Sequence, residues 1–235
     1  MKKFTLCALF AVGAMCVANA QDKAVSFGLR AGLNINTLTY SGDNESEIRD
    51  LYKARPGFHV GAVVDCKVAG NFYLQPGVYF TTRGAKMEEN ENEDVYKYSY
   101  TEKIDMNYLQ IPISASYRFP VGKIVKIDVN VGPYVAIGLG GKFKVEETAS
   151  YYGQSESYSE KHKVFGKSTD EEYRGDFKRF DAGLRFGAGV HIRKFNIGLA
   201  YDLGLANLAY TGDDSWAKGT KFRNGSFQVS VGYNF

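Results

Sequence analysis

The stretch VKIDVNVGPYVAIGLG, Val125–Gly140, alternates between apolar residues and residues that are mostly small or polar. Its apolar set includes Ile127, Val129 and Val131, whereas Lys126 and Asp128 belong to the other set. Because successive side chains of a β-strand point to opposite faces, this period of two predicts one long strand. One face of that strand is apolar from end to end.

The same alternation recurs along the rest of the chain after residue 20. The other segments are Val25–Asn36, Gly57–Val68, Phe72–Arg83, Tyr108–Phe119, Phe180–His191, Asn196–Ala209 and Ser226–Phe235. Each is long enough for a tilted strand to cross a bilayer, which takes roughly 9–11 residues. No run of about 18 apolar residues, the minimum for a membrane-spanning helix, occurs after residue 20.

Charged residues in these segments all lie on the face opposite the apolar one. They are Arg30, Asp65, Lys67, Arg83, Arg118, Lys126, Asp128, Asp181, Arg185 and Asp202. A water-soluble barrel or sandwich would turn this face outward, and alternation alone is symmetric to that inversion. The charged face is also rich in glycine, which suits the crowded interior of a small barrel better than a solvated surface. We therefore predict a polar interior and an apolar, lipid-facing exterior.

The connections between segments alternate between long and short. The long ones are Thr37–Pro56, Gly84–Asn107, Gly141–Arg179 and Tyr210–Gly225, and the short ones are Ala69–Asn71, Pro120–Ile124 and Ile192–Phe195. This arrangement predicts an all-β fold, an eight-stranded antiparallel up-and-down transmembrane β-barrel with four long extracellular loops and short periplasmic turns. Closure leaves no unpaired backbone edge in lipid, so a barrel can span a membrane. We expect this barrel in the outer membrane of a diderm bacterium, where such barrels with short periplasmic turns occur.

Residues 1–20 read as a cleaved signal peptide, with Lys2 and Lys3 before an apolar core and Ala18-Asn19-Ala20 as the cleavage site. Residues 21–235 then form the barrel domain. The full chain carries 29 Lys and Arg against 26 Asp and Glu. This near balance argues against a nucleic-acid partner, which would favour a strongly basic face.

Aromatic residues cluster beside the short turns and the C-terminus, as expected of a periplasmic aromatic girdle. They are Phe72, Phe119, Phe195, Tyr233 and Phe235. The terminal GYNF resembles the signal that barrel-assembly machinery reads, which implies that machinery as a partner of the C-terminal strand. Outer-membrane lipid and lipopolysaccharide are the other expected partners.

Three motifs resemble the PorT-like, porin-family outer-membrane β-barrel proteins. They are FGLRAGLNIN (Phe27–Asn36), YLQPGVYF (Tyr73–Phe80) and YLQIPI (Tyr108–Ile113). The resemblance covers the whole chain after the signal peptide and implies a fold and a compartment. Some members of this family take part in assembling secretion systems, so a secretion role follows by analogy only.

The sequence predicts no enzyme, no cofactor and no metal site. The serious enzymatic alternative is a hydrolase that pairs His162 with Ser155, Ser157 or Ser159 in the third long connection. A solvated polar loop explains the same stretch more simply. That connection also carries Tyr151, Tyr152, Tyr158 and Tyr173, which suit contact with an extracellular or membrane protein partner.

The interior charges predict a salt-bridged plug, because unpaired buried charges are costly. The predicted network comprises Arg30, Asp65, Arg118, Asp128, Asp181, Arg185 and Asp202. The expected function is structural or an interaction made through the outer loops. The alternative is a narrow porin-like channel that prefers anions, since six bases face four acids on the interior face.

Overall fold

The computed structural model describes residues 25–42, 51–93, 95–152, 154–165, 177–209 and 219–235; the predicted signal peptide lies outside these ranges. Within them the chain forms ten strands: β1 (Val25–Ser41), β2 (Tyr52–Lys53), β3 (Arg55–Ala69), β4 (Phe72–Asn92), β5 (Tyr96–Val121), β6 (Val125–Tyr151), β7 (Gln154–Lys163), β8 (Phe180–Ile192), β9 (Phe195–Gly204) and β10 (Lys221–Asn234). None of the described residues forms a helix with the length and apolarity needed to cross a membrane.

Eight of these strands close into a ring. The order around it is β1, β3, β4, β5, β6, β8, β9 and β10, and every pair is antiparallel. The first and last strands complete the ring with a ladder that begins at Gly28 opposite Asn234. The eight-stranded antiparallel barrel predicted from the alternating segments is confirmed. Outside the ring, β2 pairs with β4 and β7 pairs with β6.

The two faces of the ring carry the chemistry that the alternation predicts. Leu33 is 71% exposed and Val231 61% exposed, whereas the neighbouring positions Asn34 and Ser230 point inward. The interior side chains Asp65 and Asp202 are almost completely buried. An apolar exterior is stable in lipid, where a charged side chain at the bilayer centre would cost about 2–4 kcal/mol.

Interior glycines make room for large side chains from neighbouring strands. A β-carbon added to Gly232 would lie 2.3 Å from Cδ of Arg30, and one added to Gly183 would lie 2.8 Å from the Tyr134 hydroxyl. An eight-stranded ring encloses an interior just wide enough for side chains to fill. The glycine-rich face of the sequence is therefore the surface over which the interior Arg and Tyr side chains pack.

Two of the four segments predicted as long loops contain regular β-structure over most of their described residues. Residues 84–92 and 96–107 continue the β4–β5 hairpin, with Asn92 paired to Lys97. Residues 142–151 and 154–163 form a second hairpin from β6 and β7, with Tyr151 opposite Gln154. We call the sheet beyond the ring the projecting sheet; it comprises residues 86–92, 96–105, 142–151 and 154–163, with β2 at one edge.

The prediction failed there because the alternation changes its chemistry in β5, and because a bulge between Gly138 and Gly140 also reverses its parity in β6. Apart from Pro112, the interior positions of β5 are polar from Arg118 to Gln110, and they become apolar at Met106 and Ile104. Outward positions change from Leu109 to Asp105 and Lys103 at the same height. Outside the membrane the exterior faces water, so polar side chains belong on that face. Three of the predicted long loops are only partly described, since residues 43–50, 166–176 and 210–218 lie outside the described ranges.

Candidate functional site

The interior charges lie in two groups at different heights in the barrel. Of the ten inward-parity charges, the structure buries four Arg and four Asp, namely Arg30, Arg83, Arg118, Arg185, Asp65, Asp128, Asp181 and Asp202. Lys67 and Lys126 are exposed at the short-turn end. The excess of bases that suggested an anion-selective pore is therefore absent from the buried interior of the described chain.

The group nearer the projecting sheet is organised by Arg83, which the predicted network omitted although its parity places it inside. Its Nη1 lies 2.9 Å from Oδ2 of Asp181, and its Nη2 lies 2.8 Å from Oδ2 of Asp202. Arg185 approaches the other side of Asp202, with Nε 2.7 Å from Oδ1. All of these carboxylates are fully buried, so each ion pair is shielded from solvent.

Neutral side chains complete this group of charges. Gln110 and Gln228 each donate a hydrogen bond to Oδ2 of Asp202, at 2.9 and 3.0 Å. Asn224 donates to Oδ2 of Asp181 at 2.9 Å. The Arg83 guanidinium also donates to the Tyr134 hydroxyl at 3.1 Å and lies 4.9 Å from the centre of that ring. The two arginines and two aspartates of this group thus balance in charge, although Nε of Arg83 and Oδ1 of Asn224 are buried without a hydrogen-bond partner among the described residues.

The second group lies nearer the short turns. Nη2 of Arg118 is 2.7 Å from Oδ2 of Asp65, and Gln75 and Asn234 donate to the same carboxylate at 2.6 and 2.8 Å. Asp128 lies opposite Arg118 in the sheet register, and its Oδ1 lies 2.9 Å from Nε2 of His191. The predicted single network is therefore two separate groups of paired charges.

Arg30 belongs to neither group. It makes no salt bridge with a described carboxylate, and its Nη1 donates to the adjacent Leu29 carbonyl at 3.0 Å. It lines a cavity of about 80 Å³ that also contacts Asp128, Arg185 and His191. A polar cavity of this size has room for a few water molecules.

An apolar cluster closes the barrel above Arg83, on the side of the projecting sheet. We call it the apolar cap, and it consists of Leu38, Ala85, Ile104, Met106, Tyr108, Tyr134, Ala136, Val164, Phe165, Phe177 and Leu208. Phe177 bridges two of its segments by backbone pairing with Phe165 and Ala209. The cap was not predicted, because Ala85, Ile104 and Met106 fall in the predicted loop Gly84–Asn107, although they continue the interior parity of Arg83 and Tyr108.

The projecting sheet has two chemically distinct faces. The face that continues the barrel interior, here the tyrosine face, carries Tyr52, Tyr96, Tyr98, Tyr100, Tyr151, Tyr158, Glu89, Glu91, Glu102, Glu147, Glu156 and Glu160. The face that continues the barrel exterior, here the lysine face, carries Lys53, Lys86, Lys97, Lys103, Lys142, Lys144, Lys161 and Lys163. Of the tyrosines predicted to make contacts, Tyr151, Tyr152 and Tyr158 are exposed, and Tyr173 lies outside the described residues.

The structure separates the serines and the histidine of the enzymatic alternative. Ser155, Ser157 and Ser159 lie on the lysine face of β7, whereas His162 lies on the tyrosine face. Nε2 of His162 is 2.8 Å from Oε1 of Glu160 on that same face. Among the described residues, no group of three or more His, Cys, Asp or Glu side chains is placed to hold a metal ion.

Glu102 is a buried carboxylate at the base of the tyrosine face, beyond the lipid-exposed part of β5. Burial raises the pKa of its carboxyl above 4.5, and hydrogen bonds from the Tyr100 and Tyr52 hydroxyls offset only part of that rise. The Tyr100 hydroxyl lies 3.4 Å from Oε2 of Glu102, and burial beside this carboxylate raises the pKa of Tyr100 to about 12.

This raised pKa predicts a pH-dependent stability. The folded state keeps the Glu102 proton at pH values where the unfolded chain has lost it, so the free energy of unfolding falls as the pH rises from 4.5 through the raised pKa. The variant Glu102→Gln should lack this decline, whereas the exposed-position control Glu91→Gln should keep it. Thermal unfolding midpoints between about pH 4 and 8 measure the effect, and equal declines in Glu102→Gln and wild type would contradict it.

The predicted girdle residues form two aromatic groups at the short-turn end. Phe72 and Phe119 both contact Tyr117, with ring centroids 4.7 and 4.6 Å apart. Phe195 and Phe235 both contact Tyr233, at 5.3 and 5.4 Å. The prediction did not include Tyr117, whose position two residues before Phe119 on the same strand face was the available signal.

A closed ring with an apolar exterior and a paired-charge interior defines an integral membrane β-barrel. The chain belongs to the family described as outer membrane protein beta-barrel domain, whose model matches residues 19–210. It is therefore an integral protein of the cell outer membrane. The narrower resemblance to PorT-like proteins stays a prediction.

Solved structures of other outer-membrane barrels are similar to this chain at low identity. The attachment invasion locus protein Ail of Yersinia pestis, solved with the heparin analogue sucrose octasulfate, is 16% identical over 90% of this chain and 99% of its own, with a TM-score of 0.34. Neisserial surface protein A is 15% identical over 91% of this chain and 100% of its own, with a TM-score of 0.38. The comparison with curated proteins finds no significant match.

Proposed function

We propose that this outer-membrane protein is a non-enzymatic interaction barrel, in which the ring is a filled anchor and the projecting sheet contacts partners outside the cell. The observation that carries the proposal is the division of the molecule at Arg83. On one side the interior is occupied by paired charges and covered by the apolar cap. On the other side β4, β5 and β6 continue into a sheet with two distinct faces.

Other partners follow from the same anchor. We infer that outer-membrane lipid and lipopolysaccharide surround the apolar exterior, and that barrel-assembly machinery reads β10. The tyrosine face would suit a protein partner, because exposed Tyr side chains offer large contact areas at low entropic cost. A role in assembling a secretion system rests on family resemblance alone.

A narrow channel is the second candidate, and the cavity beside Arg30 is the observation in its favour. The cavity is polar and touches both charge groups. A conducting path would also have to pass Arg83, which has no exposed side-chain surface, and then the apolar cap. In a filled anchor, Arg83 and the apolar cap therefore act as two successive barriers to ions or solutes.

Single-channel recording of residues 21–235 in a planar bilayer tests the proposal. We expect no conductance steps from the wild type. We also expect none from Asp128→Ala/Arg185→Ala, because that variant leaves Arg83 and the apolar cap in place. Steady current through the wild type would overturn the filled anchor in favour of the channel, and current through the double variant alone would show that the cap is no barrier.

A further inference from the structure

Five lysines stand directly opposite one another across five neighbouring strands of the projecting sheet. In the register, Lys53 pairs with Lys86, Lys86 with Lys103, Lys103 with Lys144, and Lys144 with Lys161. Two residues along β6 and β7 from this row, on the side of the membrane, Lys142 stands opposite Lys163 on the same face. We call the first row the lysine ladder; with strands about 4.8 Å apart, it extends for roughly 19 Å.

This arrangement is unfavourable for the sheet taken by itself. Like charges directly opposite each other destabilise an antiparallel pair, and here the repulsion repeats along the row. Two carboxylates in the adjacent row relieve part of it. Glu88 contacts Lys53 and Lys86, and Glu146 contacts Lys103 and Lys144.

Four lysines on this face have no carboxylate partner among the described residues: Lys97 at the far end of the sheet, and three nearer the membrane, which we call the unpaired lysines. Lys142, Lys161 and Lys163 are exposed, and none of them takes part in a salt bridge there. The remaining carboxylate of this face, Asp105, is held by Arg55 at 2.6 Å. The face therefore keeps an uncompensated positive charge where β6 and β7 meet.

The lysine face is continuous with the lipid-exposed exterior of the same strands. On β6 the lipid-facing residue Leu139 is 53% exposed, and Lys142 follows three positions later on the same face, because a bulge between Gly138 and Gly140 reverses the parity there. At about 3.3 Å per residue this separation is about 10 Å along a tilted strand. The unpaired lysines thus stand just beyond the apolar band, at the depth of lipid headgroups.

We propose that the lysine face binds the phosphate groups of anionic lipids in the leaflet that adjoins the projecting sheet. The occupant is assigned from charge complementarity and from continuity with the lipid-facing surface, and the proposal rests on the orientation given under the proposed function. The acidic tyrosine face points away from that surface. Bound phosphates would neutralise the repulsion that the sheet otherwise carries.

Native mass spectrometry of the detergent-solubilised protein with lipid A that carries two phosphates tests this proposal. The variant Lys142→Gln/Lys161→Gln/Lys163→Gln removes the three unpaired charges. The matched control Lys67→Gln/Lys123→Gln/Lys126→Gln removes three exposed lysines at the short-turn end. At low ionic strength we expect binding about 100-fold weaker in the first variant, or about 1 kcal/mol for each lysine near an anionic surface, and unchanged binding in the control.

Two further measurements separate the possible outcomes. Dephosphorylated lipid A should bind the wild type as weakly as the first variant binds the phosphorylated form. The first variant should also unfold at a temperature no lower than the wild type, because removing the three lysines relieves repulsion between them. An unchanged unfolding temperature would exclude misfolding as the cause of weaker binding. Equal retention of lipid A by both triple variants would overturn the proposal. If heparin binding depended on these lysines and lipid A binding did not, the proposal would also be overturned. Neither result would change the expected absence of conductance, which tests the filled anchor separately.

Discussion

Replacing Arg83 with methionine is expected to lower the free energy of unfolding by about 3–5 kcal/mol. Methionine preserves much of the side-chain volume but removes the cation that holds both Asp181 and Asp202. Asp202 keeps Arg185 as a partner, whereas Asp181 is left buried with only hydrogen-bond donors such as Asn224. Equilibrium urea unfolding in detergent micelles, followed by the gel shift between folded and unfolded barrel, measures the loss.

The double variant Arg83→Met/Asp181→Asn distinguishes lost pairing from lost packing. It removes the carboxylate that the single variant leaves without a cation, so it should recover at least about half of the stability that Arg83→Met loses. Lys126→Met, at an exposed position of the same parity, should change the stability by less than about 0.5 kcal/mol. Absence of recovery in the double variant would show that Arg83 acts through packing against Tyr134 instead.

The substitution Met106→Asp is expected to destabilise the protein by at least about 3 kcal/mol, because it buries an unpaired carboxylate in the apolar cap. The neighbouring substitution Asn107→Asp should cost less than about 0.5 kcal/mol, since that side chain lies on the opposite, outward face of β5. Thermal unfolding and protease cleavage within residues 84–107 measure both variants. Equal effects at the two positions would indicate an irregular loop and would contradict the extended hairpin.

The ring could be predicted from the sequence because lipid imposes a strong alternation on every strand. Leu33 beside Asn34, or Val129 beside Asp128, assigns each residue to a face without knowledge of its partner. The same rule places Arg83 and Asp202 inside the barrel. It does not show that they touch, because they are 119 residues apart in sequence and contact depends on strand register and tilt.

The projecting sheet could not be predicted as long as the outward face of every strand was expected to be apolar and to face lipid. The sequence predicts a loop from Gly84 onward, where charged residues such as Lys86 and Glu88 fall on the face that is lipid-exposed in the ring. Charges on one face are compatible with a strand once that face meets water instead of lipid. The lysine ladder could not be predicted from the sequence either. Its five lysines, between positions 53 and 161, become neighbours only through the register of four separate strand pairs.

The ladder that joins the first strand to the last governs how this barrel can be made. Gly28 and Asn234 are far apart in sequence, so closing this ladder carries a larger loop-closure entropy than pairing two consecutive strands. Before β10 is in place, β1 and β9 each present an open row of backbone donors and acceptors, which hydrocarbon cannot tolerate. Insertion must therefore wait for the complete chain, or proceed while another protein covers those two edges.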